Sequence, residues 1–75
     1  MSDIGEKVVA VASRYMGPAA RRFIERQTSS HMNGLAIDNI TPAHLPELAK
    51  WVEISAGLVM DKAKAAELAN KIKSL

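Results

Sequence analysis

His31, His44 and Asp38 are the side chains in this sequence whose types could hold a metal or pass a proton near neutral pH. Two imidazoles and a carboxylate make a ligand set when a helix sets them three or four residues apart, because those positions share a face. Here the two histidines fall on either side of a polar loop, and no cysteine is present to complete a site. A surface or capping role for each histidine is the ordinary reading; a shared site with Asp38 is the chemical alternative. Gly17 and Gly34 stand alone and build no phosphate-cradling loop, and the carboxylates are too scattered to suggest an acid and base pair. The sequence therefore predicts no catalytic residue, no metal and no cofactor, and a protein that is not an enzyme.

Binding chemistry is better represented. Arg21, Arg22 and Arg26 fall on one side of a helical pattern, and Arg14 precedes them, giving a local charge of +3 between residues 14 and 26 against +2 for the whole chain. Such a face suits an acidic protein surface or a phosphate backbone, and its plain alternative is a solvated face with local pairing to Glu25. The chain also imitates a helix-turn-helix, with "GLVM" as the turn and Lys62, Lys64, Lys71 and Lys73 on the following helix. Lysine suits phosphate contact more than base readout. A nucleic-acid-binding module using the basic faces of helix 2 or helix 4 is thus the alternative reading.

Trp51 and Ile54 make the leading one. They lie on helix 3 outside the stripe of Leu45, Leu48, Ala49, Val52 and Ala56, on the side that carries Glu47 and Lys50. Either two neighbouring helices sandwich helix 3, or the Trp51 and Ile54 stripe anchors a partner, a second copy of the chain included. The sequence predicts protein–protein contact, with self-association through helix 3.

The elements that must position these residues are helical throughout. Ile4, Val8, Val11, Ala12 and Tyr15 share one face of a first helix over about residues 3–16. Gly17 is expected to close it in the left-handed conformation, and Pro18 to open the next, since proline has no N–H to lose there. Ala19, Ala20, Phe23, Ile24 and Gln27 then face inward on a helix over about residues 18–30, with Gly34 beyond its end. Leu35, Ile37 and Ile40 plug the core from the connection. Thr41 caps a single turn over Pro42 to His44, and Ile40 can staple against Leu45. The third helix covers about residues 46–56, with Gly57 as a left-handed cap and Leu58 folded back on Val52. Asp61 caps a fourth over about residues 61–74, whose inner stripe is Ala65, Leu68, Ala69, Ile72 and Leu75. The expectation is a single all-α domain over residues 1–75, a compact four-helix arrangement with short connections.

At 75 residues, 48% of them hydrophobic, the chain has apolar material for one core and no disulfide to help it. No apolar run approaches the roughly 20 residues that span a bilayer, and the start, "MSDIGEKVV", lacks a signal-peptide layout. A cytoplasmic location without membrane association is expected.

The run Tyr15-Met16-Gly17-Pro18-Ala19-Ala20, with "RRFIER" after it and a second half of the form "LPELAKWV...DKAKAAELANKI", resembles a small helical domain of unknown function. That domain has a Tyr-x-Gly-Pro-x-Ala motif and is appended to bacterial signalling proteins such as kinases and cyclases. The resemblance implies a regulatory or interaction module and brings no catalytic residues with it. These 75 residues hold no catalytic domain of the kind those proteins carry.

Overall fold

A computed structural model describes residues 3–75. Four α-helices carry the fold: α1 (Ile4–Met16), α2 (Ala20–His31), α3 (Leu45–Ala56) and α4 (Lys62–Lys73). Short 3-10 turns at Gly17–Ala19, Ile37–Asn39 and Pro42–His44 connect or precede them. The all-α class and the four helical segments agree with the periodicity of the sequence.

The helix ends follow from local chemistry. Gly17 leaves α1 with φ 62° and ψ −139°, a positive-φ conformation open to glycine but not the left-handed helical one expected. Its N–H donates to the Ser13 carbonyl, and Pro18 sits in the tight turn that follows. Because residues 17–19 turn with a period of three, Ala19 rotates to the surface instead of the core side predicted for it. At the other end of α2, Asn33 and Gly34 both take positive φ, of 57° and 73°, and turn the chain away.

The entry to α3 is a reciprocal cap. The Thr41 N–H donates to Nδ1 of His44 at 3.0 Å, and the His44 N–H donates to the Thr41 carbonyl at 2.9 Å. The imidazole so fills the place a glutamate takes in the usual capping box. Asp61 caps α4 through Oδ1, which accepts from the Ala63 N–H at 3.4 Å.

The four helices pack as a ring. α1 contacts α2 and α4, α3 contacts α2, and the α3–α4 pair forms the most extensive contact. Val8 and Ala12 of α1, Ile24 of α2, Leu48 and Val52 of α3, and Leu68 and Ile72 of α4 are fully buried at the centre. Ile37 and Ile40 close the core from the long connection, and Leu35 is half-buried beside them. The Cα radius of gyration, 10.8 Å, is close to the roughly 11 Å expected of 75 well-packed residues.

Three expectations about the second half are corrected. Gly57 has φ −63° and ψ −14°, so α3 does not end in a left-handed cap. The chain continues in right-handed turns, with the Leu58 N–H donating to the Ser55 carbonyl at 3.2 Å and Val59 to Ala56 at 3.0 Å. Leu58 is therefore carried outward and is 84% exposed, not folded back on Val52. Leu75, predicted on the inner stripe of α4, lies past its end and is 38% exposed. Among the described residues, no helix is long and apolar enough to cross a membrane.

Candidate functional site

Trp51 and Ile54 sit three residues apart on α3, yet they meet different surroundings. Trp51 is half-buried against the core. His31, in the last turn of α2, stacks on its indole with ring centroids 3.9 Å apart and planes 7° from parallel. Lys50 Nζ lies 5.3 Å from the same ring, within cation–π range. The indole N–H is buried and has no acceptor among the described residues, at a cost of about 1–3 kcal/mol. The tryptophan is thus placed by packing and stacking. Ile54 points away from the core and is half exposed.

Ile54 does not stand alone on that surface. Leu58 and Val59, in the turn that follows α3, are 84% and 75% exposed. Beside them α3 and α4 enclose a groove of about 510 Å³. Small residues, Ala49 from α3 and Gly57 just past its end with Ala65 and Ala69 from α4, line it. Ile54 and Leu58 form its apolar lips, and Lys50, Lys62 and Lys73 border it with Glu53 as the sole carboxylate. Methyl-sized side chains at the contact let the two backbones approach while leaving a hollow above them.

The arginine face is only partly available. Arg21 pairs with Glu6 of α1 at 2.5 Å, and this bond holds the Glu6 carboxyl below its ordinary value of 4.5. That partner is not the Glu25 expected from helical spacing. Arg22 and Arg26 remain exposed and form no ion pair among the described residues. The Tyr15 hydroxyl donates to Glu67 at 2.5 Å across the α1–α4 contact. Glu67 also lies 3.9 Å from Lys71, whose Nζ is 5.6 Å from the Tyr15 ring. This cluster satisfies itself within the protein.

The histidines are likewise engaged locally, His31 in the stack and His44 in the Thr41 cap. Among the described residues, no group of three or more His, Asp or Glu side chains is placed to hold a metal ion. The outer face of α3, its following turn and the groove against α4 form one open surface; a larger and shallower hollow of about 820 Å³ lies between α1 and α4, lined by Val11, Ala66 and Leu75 among others.

Sequence reasoning located Ile54 but missed Leu58, Val59 and the groove. One signal was present: consecutive apolar residues in a turn serve no helical stripe, so "LV" within "GLVM" required an explanation. No family model matches the chain, and comparison with curated proteins and with solved structures finds no match.

Proposed function

We propose that this domain is a non-enzymatic protein-interaction module that docks through the outer face of α3 and the turn after it. The observation that carries this reading is the exposure of Ile54, Leu58 and Val59, at 52%, 84% and 75%, within six residues that span the last turn of α3 and the turn after it. Single exposed apolar residues are ordinary, whereas several side by side next to a groove mark a contact surface. Self-association through α3 and docking of a foreign protein would each cover that patch. The resemblance of the Tyr15–Ala20 corner to regulatory domains of signalling proteins supports the same role. A cytoplasmic setting belongs to the proposal and is supported by a sequence without cysteine.

A second reading has a narrower basis: Arg22 and Arg26 are exposed without carboxylate partners among the described residues, as phosphate-contacting arginines would be. It leaves the apolar patch unexplained.

The test is affinity capture with the wild-type chain and with the Ile54→Asp, Leu58→Asp double variant, after circular dichroism has shown equal helicity. Proteins or second copies held by the wild type and released by the variant support the proposal. Partners held equally by both would contradict it, and nucleic acid lost on raising salt would favour the arginine reading.

A further inference from the structure

We propose that the groove between α3 and α4 receives an acidic amphipathic helix of another protein. The inference rests on the interaction reading and names the partner's chemistry.

Length is the first argument. The groove follows α3 from Pro46 to Gly57 just past its end, twelve residues or eleven steps, about 16 Å at 1.5 Å per residue. Three turns of a docked helix match that distance, which is the reach of anchors at i, i+3 or i+4, and i+7. The lining is shaped for such anchors, with Ala49, Ala65 and Ala69 leaving room and Ile54 and Leu58 offering apolar sides.

Charge is the second argument. Three lysines border the groove against Glu53 alone. Lys62 and Lys73 are the first and last residues of α4, so positive charge stands at both ends, about 16 Å apart. A helix whose apolar stripe is flanked by carboxylates at its two ends complements both. A fatty acid has one anionic head and would use one end.

A second copy of this chain is the poorer occupant. Two grooves placed face to face would set Lys50, Lys62 and Lys73 against the same three lysines. Of the chain's own helices only α3 has a net negative charge, with Glu47 and Glu53 against Lys50, and it already forms one wall of the groove; α2 exposes Arg22 and Arg26, and α4 exposes its lysines. Like charges brought together across an interface oppose association, and opposite ones select the partner.

The experiment is selection from a displayed library of randomised helical peptides on the immobilised full chain. The expected winners carry an apolar stripe at i, i+3 or i+4, and i+7, bordered by Asp or Glu. Their affinity should fall about tenfold when Lys62→Glu and Lys73→Glu are combined, and beyond detection with Ile54→Asp and Leu58→Asp. Neutral or basic winners, or no enrichment, would overturn the inference. Binding lost with the apolar pair but unmoved by the lysine reversal would remove the acidic partner and leave the interaction reading standing. Binding indifferent to both pairs would remove both. Sedimentation showing a salt-resistant dimer that dissociates on Ile54→Asp and Leu58→Asp would seat a second copy there and also overturn the inference.

Discussion

Gly5 on α1 lies directly against the backbone of Ile37, with no room between them for a Cβ atom. This contact lets the 3-10 turn at Ile37–Asn39 close over the first turn of α1. Alanine at this position would gain about 1 kcal/mol of helix propensity but would have to push a backbone carbonyl aside. Overpacking of that kind costs about 1–3 kcal/mol, and backbone yields less readily than a side chain. Gly5→Ala is expected to lower stability by about 2 kcal/mol in urea unfolding. A raised midpoint would show that the turn moves away freely.

Gln27 is 5% exposed, and its Oε1 accepts a 2.7 Å hydrogen bond from the Ser55 hydroxyl, tying α2 to α3. Ser55→Ala leaves that buried oxygen without its donor and should cost about 1–2 kcal/mol. Adding Gln27→Leu should recover part of the loss, because both polar groups are then gone. A double variant as unstable as the summed single changes would mean that the pair is not coupled.

Trp51 is placed by its stack on His31 and carries a buried N–H with no acceptor among the described residues. Trp51→Phe retains an aromatic face and deletes the unpaired donor, so it should cost less than about 1 kcal/mol. Trp51→Ala removes the packing as well and should cost about 2–3 kcal/mol. Equal losses for the two variants, measured by denaturant unfolding, would assign the indole N–H a partner the structure does not show.

Acid sensitivity has a defined source on the α1–α4 contact. The hydrogen bond from Tyr15, with Lys64 and Lys71 nearby, holds the Glu67 carboxyl below its ordinary value of 4.5. A depressed folded value means that the contribution is complete above the unfolded pKa and is lost as pH falls through the folded one. Wild-type stability should therefore decline as pH falls below the ordinary carboxylate value of 4.5 more steeply than that of Glu67→Gln. Parallel pH profiles would place the acid sensitivity elsewhere, with Glu6 and its Arg21 bond the next candidate.

The helices were legible because each has a three-to-four-residue apolar rhythm and a recognisable end. Gly17-Pro18 marked the α1–α2 corner, Thr41-Pro42 the start of the turn before α3, and Asp61 the cap of α4. Less legible were features set by which elements meet. Glycine in a helix reads as a weak former, so nothing in the sequence announced that Gly5 faces Ile37. Helical spacing offered Glu25 to Arg21, but the tertiary arrangement brought Glu6 of α1 instead. Trp51 and Ile54 looked like one stripe; their separation depended on His31 reaching over from α2. Gly57 misled because a glycine near a helix end usually turns left-handed, and here the chain kept its right-handed turn.

The measurement that most directly tests the central claim is an NMR titration of the isotopically labelled chain with the tightest helix from the peptide selection. The account predicts amide shift changes centred on Ile54, Leu58, Lys62 and Ala69, with Arg22 and Arg26 unmoved. Changes centred on Arg22 and Arg26, with the α3–α4 groove silent, would contradict it.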